Sequence, residues 1–332
     1  YGFIYSSLPN FLVFFVFAVT IFNYNIHYPN LYAFGQEITE KKKYGKLNSY
    51  IEVQGQATSV LAGAFAALLL TGTSNKSLDL AGIHLTLPFD IPKWDIYEIF
   101  LMDAITYLFV IGIFSFIKYT PIVKDEIHKS NLWNRLKMGT SYLNENRIVF
   151  VFGLVSYMLF AFTLVELHIV LPSYVHDFLS AKGNIYASSE IYYSLGAIFS
   201  GVLILRILKN VNPFLSVIFL MIIVAAAFLS MTFYKFLWVF FLGNLILGIT
   251  NAGVRIVRTT YLFNNVPNNL IGRVTSVFSS LNIIVRMFLI ALFSLNFFTL
   301  SDNIRWAYLI GTLLMLMSST VLYLTYMKKV KD

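Results

Sequence analysis

The sequence contains no cysteine, and only 12% of its 332 residues are charged. The absence of cysteine excludes disulfide frameworks, thiolate zinc sites and cysteine nucleophiles. Soluble domains average about 25% charged residues, so this chain cannot cover a water-facing surface of its size. Intrinsic disorder is excluded as well, because disordered chains are poor in aromatic residues, whereas 17% of this sequence is aromatic.

The sequence contains long apolar runs, with 58% hydrophobic residues overall and a mean hydropathy of +0.72. A helix needs about 20 mostly apolar residues to cross a bilayer, whereas barrel strands alternate in pieces of about 10. The runs therefore predict an all-α integral membrane protein with nine transmembrane helices, the short fifth one beginning near Ala187. The predicted spans are Asn10–Ala33, Tyr50–Leu70, Tyr97–Phe116, Ile148–Leu171, Ile191–Leu205, Pro213–Phe233, Phe236–Val257, Val274–Phe297 and Ala307–Met327.

The distribution of lysine and arginine predicts the orientation of these spans, because short cytoplasmic loops carry an excess of both residues. With nine spans, 18 of the 24 cations fall on one side, five fall on the other, and Arg286 lies within a span. We therefore expect a multi-pass protein of the cell inner (plasma) membrane with a cytoplasmic C-terminus and an outward Tyr1. The net charge of +8 is explained by the cations of the predicted cytoplasmic loops, so no nucleic-acid partner is expected.

Two similar pentapeptides suggest an internal duplication. Gly45–Ser49 and Gly272–Ser276 both read glycine, cation, aliphatic, small polar, serine, and they are 227 residues apart. Each stands on the predicted cytoplasmic side at the start of a span. Many transporter folds are built from such repeats.

Two further stretches carry a resemblance to a known family. The stretch Asn265–Ser276, NVPNNLIGRVTS, resembles the link between the tenth and eleventh helices of the major facilitator superfamily, in its multidrug and macrolide-efflux-like branch. The stretch Leu101–Leu108, LMDAITYL, is similar to the start of the sixth helix of that branch. The resemblance implies a twelve-helix, two-bundle fold of which this chain would hold helices four to twelve. It divides the chain into the rest of an N-terminal bundle (1–117), a cytoplasmic linker (118–147) and a six-helix C-terminal bundle (148–332).

The resemblance also implies a function: secondary active, proton-coupled export of an amphipathic small molecule by alternating access, carried out by a monomer without a cofactor. Three helices would precede this chain, which alone is expected to be inactive. The second span lacks the Gly-Pro pair of drug–proton antiporters, so the direction of transport stays open. The cytoplasmic gating motif would comprise Gly45, Lys46, Gly272 and Arg273.

Ionisable side chains inside spans are expensive and mark candidate sites. Arg286 stands near the middle of the eighth span, one turn after Asn282, and placing it there costs about 3 kcal/mol on insertion scales. It requires an acidic partner, a water-filled cavity or an anionic substrate group, unless it forms a packing ion pair. Glu166 lies in the outer half of the fourth span and is a candidate proton carrier. The alternative is a carboxylate hydrated at the outer mouth, and contact between Glu166 and Arg286 would depend on the length of the arginine.

Pairs of polar residues four apart occupy one face of each of two spans. Asn23 and His27 lie in the first span, and Asn251 and Arg255 lie in the seventh. The resemblance makes these spans the fourth and tenth helices, which line the central cavity, although asparagines also hydrogen-bond helices together in lipid. Glu52, at the start of the second span, is interpreted as a solvated helix end in preference to a gate.

Two other classes of function stay open. An intramembrane lipid-handling enzyme would need clustered polar residues at one interface, and the sequence suggests none. A non-transporting membrane protein is compatible with the sequence. The five histidines are scattered, and His168 lies about 200° around the helix from Glu166, so no metal site is predicted. His168 is expected to be buried and hydrogen-bonded.

The topology can be tested with single-cysteine variants, because the chain has no native thiol. Lys42→Cys and Lys137→Cys should react with a membrane-impermeant maleimide from one side of sealed vesicles, and Lys235→Cys from the other side. The cysteine-free parent is the control. Labelling of Lys42→Cys and Lys137→Cys from opposite sides would contradict the nine-span arrangement.

Overall fold

The structure is a computed structural model that describes residues 11–73, 77–80, 83–86, 88–118, 132–181, 183–207 and 211–331. Helices dominate these residues, as the apolar runs predict. In chain order the elements are α1 (Phe11–Ile38), α2 (Tyr44–Thr71), β1 (Ser77–Leu80), β2 (Ile83–Thr86), α3 (Ile96–Phe116), α4 (Leu132–Glu145), α5 (Arg147–Val165), α6 (Gly183–Ile207), α7 (Pro213–Phe233), α8 (Leu237–Asn265), α9 (Asn268–Phe293), α10 (Asn296–Thr299) and α11 (Trp306–Lys331). The strands β1 and β2 form an antiparallel hairpin.

Each predicted span overlaps one of these helices, but the observed helices are mostly longer. The fifth begins at Gly183, and the eighth begins at Asn268 and ends at Phe293. Within the described residues, seven helices are long and apolar enough to cross a membrane by length and composition. The count of nine spans therefore stays a prediction. Of the predicted linker 118–147, residues 119–131 lie outside the described residues.

The helix that begins with α5 changes its winding near its end. After Val165 it continues through a π-helical turn at Glu166–Val170, an α-helical stretch at Leu171–Ser173 and a second π-helical turn at Tyr174–Phe178. The candidate membrane span thus extends from Arg147 to Phe178. π-Helical turns are rare and are frequent at functional sites. They come directly at Glu166, the candidate proton carrier.

The chain divides into two compact units. One comprises residues 1–27 and 58–127, with the hairpin, α3 and parts of α1 and α2. The other comprises residues 28–57 and 128–332. In this second unit an aromatic core joins the helices, with the ring of Phe152 on α5 centred 4.7 Å from Phe214 and 4.1 Å from Tyr261. The candidate site described below belongs to this unit.

Two glycines allow α6 and α8 to pack backbone against backbone. A Cβ atom on Gly196 of α6 would overlap the carbonyl oxygen of Leu245, and one on Gly248 of α8 would overlap the carbonyl oxygen of Tyr193. Small residues at helix crossings permit this close approach in membrane proteins. The approach brings Tyr193 of α6 within reach of the polar face of α8.

The close approach predicts a stability difference between two glycine substitutions. Gly248→Ala should lower the thermal unfolding midpoint in detergent by the equivalent of about 1–3 kcal/mol, because the added methyl group forces the helices apart. Gly55→Ala is the matched control, since a Cβ atom there meets nothing within 4 Å. The control should be neutral or stabilising by up to about 1 kcal/mol through helix propensity. Equal effects of the two substitutions would show that α6 and α8 are not in backbone contact.

Candidate functional site

An ion pair between α2 and α8 lies at the centre of the candidate site. The Nε atom of Arg255 is 3.3 Å from Oε2 of Glu52, and the side chains are 19% and 4% exposed. The interpretation of Glu52 as a solvated helix end is therefore wrong. The reason is that the N-terminal part of α2 packs against α8, and this contact removes the carboxylate from water.

Further contacts hold both partners of this ion pair. The amide of Gln56, one turn along α2, donates a hydrogen bond to Oε1 of Glu52 at 3.1 Å. The guanidinium of Arg255 lies 5.3 Å from the ring centroid of Phe160 on α5. One turn earlier on α8, the Asn251 amide donates to the hydroxyl oxygen of Tyr193 at 2.7 Å. The predicted pair Asn251 and Arg255 therefore lies on one buried polar face.

A second arginine extends this face and was missed by the sequence reasoning. Arg258 is 4% exposed, donates to the carbonyl oxygen of Ser156 at 3.1 Å and stands 3.6 Å from the ring centroid of Tyr157. From α9, the predicted residue Asn282 donates to the carbonyl oxygen of Tyr157 at 3.3 Å. From the sequence, Arg258 is counted only among the 18 cations on one side of the membrane and is assigned no site. Its position three residues after Arg255, on the same helical face, was the signal that could have identified it.

These side chains form what we call the central polar cluster, drawn from α2, α5, α6, α8 and α9. It contains Glu52, Gln56, Tyr157, Tyr193, Asn251, Arg255, Arg258 and Asn282. The cluster holds two guanidinium groups and one carboxylate, of which Arg255 pairs with Glu52, so it favours a ligand with acceptor atoms or negative charge. The aromatic rings beside the cations offer apolar surface.

Glu166 occupies a separate, buried environment at the first π-helical turn. Its side chain is 1% exposed and accepts a hydrogen bond from the hydroxyl of Tyr308 on α11 at 2.7 Å. The ring of Tyr174 lies 4.7 Å from that of Tyr308. This burial contradicts the alternative of a carboxylate hydrated at the outer mouth. The expected burial of His168 is wrong, because its ring is exposed, with Nδ1 2.8 Å from the carbonyl oxygen of Leu164.

The other three predicted site residues lie on α9 and α1. Arg286 is half-buried on α9, one turn after Asn282, and its pairing with Glu166 stays a prediction. Asn23 and His27 are exposed and belong to the other compact unit. Their role as cavity walls also stays a prediction. Among the described residues, no group of three histidine, aspartate or glutamate side chains is placed to hold a metal ion.

The predicted gating motif lies where α1 and α2 meet α8 and α9. A Cβ atom on Gly272 would lie 4.0 Å from that of Ala33. Beside it, the amide of Gln36 donates to the carbonyl oxygens of Phe263 and Val266 at 2.9 and 3.0 Å. These contacts dock the end of α1 on the turn between α8 and α9.

The two cations of the motif differ in their contacts. Arg273 places Nη1 3.3 Å from the sulfur of Met138 on α4, and Lys46 lies over the ring of Tyr50 at 5.5 Å. The hydroxyl of Tyr142, also on α4, donates to the carbonyl oxygen of Asn265 at 2.5 Å. The linker helix α4 is therefore fixed against the same turn.

The buried ion pair can be tested by its contribution to stability. Glu52→Gln should lower the unfolding midpoint in detergent by the equivalent of about 3 kcal/mol, because it leaves a buried guanidinium without its carboxylate. Glu40→Gln is the control, since the Glu40–Lys43 pair is shorter, at 3.0 Å, but exposed, and such pairs contribute about 0–1 kcal/mol. The double variant Glu52→Gln/Arg255→Gln should lose less than the sum of the single losses. Strict additivity would contradict the coupling of the two side chains.

Two solved structures share this fold. A bacterial homologue of the iron transporter ferroportin, in an outward-facing state, matches with a TM-score of 0.63 and 14% identity over 88% of this chain and 66% of its own length. The transporter FucP, in the outward conformation, matches with a TM-score of 0.60 and 12% identity over 90% of this chain and 72% of its own. At these identities the likeness shows the fold alone.

The sequence itself carries the family relationship. No curated protein matches the chain. The Major Facilitator Superfamily profile matches residues 1–290, most of the 332 residues. The chain therefore belongs to the Major Facilitator Superfamily and is a multi-pass membrane protein of a transporter family rather than an enzyme.

Proposed function

We propose that this protein is a proton-coupled secondary transporter that exports an amphipathic small molecule, as in the multidrug and macrolide-efflux-like branch. The observation that carries the proposal is the buried carboxylate of Glu166, whose hydrogen bond comes from the uncharged Tyr308. The chain spans 66% of the length of the ferroportin homologue, so the transport cycle proposed here is that of the whole gene product.

The surroundings of Glu166 suit a group that takes up and releases a proton. An ionised carboxylate without a compensating charge is unfavourable in an apolar interior, whereas the protonated form is tolerated there. Tyr308 donates one hydrogen bond to Glu166, and the ring of Tyr308 packs against the rings of Tyr174 and Phe228. Access of water would favour release of the proton, and closure would favour its uptake. The π-helical turn at Glu166–Val170 places this switch in a segment whose hydrogen bonding departs from the α-helical pattern.

The central polar cluster is the proposed substrate site. Guanidinium and amide donors lie beside the faces of Tyr157 and Phe160. This combination of hydrogen-bond donors and apolar surface fits an amphipathic molecule with acceptor atoms. A role in substrate binding for Asn23 and His27, on the fourth helix of the proposed twelve, belongs to the same proposal. Arg286, one turn from Asn282 of the cluster, would act as a mobile counter-charge or contact the substrate directly.

Alternating access follows from the proposed duplication, whose spacing recurs in the contacts. Gln36 donates to the carbonyl oxygen of Phe263, the residue 227 positions later. Gly272 packs near Ala33, and the residues equivalent at that offset, Gly45 and Thr260, line one cavity. Pairs related in this way are expected where two repeats meet across a pseudo-two-fold axis. They support two bundles that rock about a shared site.

The same contacts support a conformational assignment. Gln36 and Asn268 join the ends of α1 and α9, with the Asn268 amide 3.3 Å from both Oε1 of Gln36 and the carbonyl oxygen of Ala33. We assign this closed end to the cytoplasm, with Gly45, Lys46, Gly272 and Arg273 as its gate. This proposal also includes a cytoplasmic C-terminus and a location in the inner (plasma) membrane. It further includes twelve helices, three of them upstream of this chain, and two bundles with the limits 1–117 and 148–332 on either side of the linker 118–147. We propose a monomer, with a small-molecule substrate, protons and the lipid bilayer as its partners.

The coupling can be tested in proteoliposomes containing the whole gene product under an imposed pH gradient. Uptake of amphipathic dyes that carry hydrogen-bond acceptors and no fixed positive charge should be driven by the gradient in the parent. Glu166→Gln and Arg286→Ala should reduce it to the level of protein-free vesicles, because the exchangeable proton and the counter-charge are lost. Glu190→Gln, which neutralises an exposed carboxylate on α6, should keep the parent rate.

The outcomes separate coupling from transport. Loss of gradient-driven uptake with retained exchange across equal pH would assign Glu166 to coupling alone. Unchanged gradient-driven uptake in both Glu166→Gln and Arg286→Ala would remove the coupling proposal. Dye fluxes equal to those of empty vesicles for every probe in the parent would contradict export of amphipathic molecules.

A further inference from the structure

A basic cleft opens where several helices of the second unit begin or end. Its volume is about 760 Å³. The walls come from the short 3-10 helix Lys41–Lys43 and the start of α2, the start of α7, the last two turns of α8 and the end of α11. The lining residues are Lys41, Lys42, Gly45, Lys46, Val211, Asn212, Pro213, Phe214, Ser216, Val257, Thr260, Tyr261, Asn264, Asn265 and Lys329.

Charge in this cleft is of one sign. Four lysines, Lys41, Lys42, Lys46 and Lys329, contribute to its described lining, which includes no carboxylate. Among the described residues, the nearby Glu40 pairs with Lys43, at 3.0 Å, and not with a cleft lysine. Four ammonium groups around one cavity repel each other unless an anion lies between them.

Two of these lysines make cation–π contacts with aromatic rings. The Nζ atom of Lys329 lies 5.5 Å from the ring centroid of Phe214 and 6.0 Å from that of Tyr261, both in the cleft wall. Lys46 lies 5.5 Å over Tyr50. Such cation–π contacts orient the ammonium group and lower the entropy lost when an anion binds.

The position of the cleft relative to the candidate membrane spans indicates which kind of anion it would bind. The candidate membrane spans Lys41–Leu70, Pro213–Phe233, Leu237–Asn265 and Asp302–Val330 all begin or end at this level. That is the depth at which phospholipid head groups meet a membrane protein. The apolar residues Val211, Val257 and Phe214 share the wall with the lysines, so the cleft offers apolar surface next to positive charge.

We propose that this cleft is a binding site for a phosphate-bearing anion, supplied by the head group of an anionic phospholipid. A soluble phosphate compound has the same recognition chemistry, and the experiment below distinguishes the two sources. The site is independent of the central polar cluster, and it would hold together the ends of four helices. Transport activity is not needed for its detection.

The test compares two double variants with the same loss of charge. Lys42→Gln/Lys329→Gln removes two cleft lysines, whereas Lys43→Gln/Lys328→Gln removes their sequence neighbours, which do not line the cleft. Each protein is placed in nanodiscs of phosphatidylglycerol and phosphatidylcholine, and lipid retained after release is measured by native mass spectrometry. Affinity for phosphatidylglycerol should fall about 30-fold in the cleft variant, at about fivefold per lysine, and remain near the parent value in the control. Equal melting temperatures in phosphatidylcholine confirm that both variants are folded.

The remaining outcomes decide the source or overturn the proposal. Saturable binding of pyrophosphate to the parent in detergent, lost in the cleft variant and without selective retention of phosphatidylglycerol, would keep the site and assign it to a soluble phosphate compound. Equal losses in the two variants would show a diffuse surface attraction and overturn the site. Undiminished binding of phosphatidylglycerol and pyrophosphate in the cleft variant would overturn it as well.

Discussion

The Glu52–Arg255 ion pair sets the geometry on which the rest of the candidate site depends. Neither charge is stable in an apolar interior alone, and removal of one partner from a buried pair costs about 3–5 kcal/mol. The pair therefore fixes the start of α2 against the middle of α8. Once α8 is held in that rotation, Asn251 and Arg258 face the same side, towards α6 and α5. A ligand that displaces the pair would have to offer both groups new partners.

The two buried carboxylates differ in what compensates them. Glu52 has a guanidinium at 3.3 Å and accepts a hydrogen bond from the amide of Gln56. Glu166 has the phenol of Tyr308, which can donate to either form but supplies no charge. Compensation by a fixed cation favours a permanent structural charge, whereas a neutral donor leaves the proton exchangeable. The surroundings of the two residues thus favour a structural role for Glu52 and a coupling role for Glu166.

Hydropathy was sufficient to predict the helices, because crossing lipid requires length and apolarity that are local properties of the chain. It was also sufficient to identify Glu166, Asn251, Arg255 and Asn282 as candidates, since polar residues inside apolar runs stand out. Hydropathy could not predict which residues these candidates contact. Which helix covers the start of α2 decides that Glu52 is buried, and no pattern within α2 contains that information. The π-helical turns likewise leave no mark in the apolar periodicity.

The lysine and arginine counts and the helix packing bear on the predicted topology for separate reasons. The counts rest on how loops are sorted across a membrane, whereas packing rests on shape. Helix α7 allows the charge pattern and the packing to be compared. Its first residues line a cleft with lysines from α2 and α11. Beyond its last residue, Lys235 and Arg305 both lie near the ring of Phe178, at 5.5 and 5.6 Å. Cations that the sequence predicts on opposite sides of the membrane therefore lie at opposite ends of one helix, so the same charge asymmetry supplies both the predicted orientation and the lysines of the proposed head-group site.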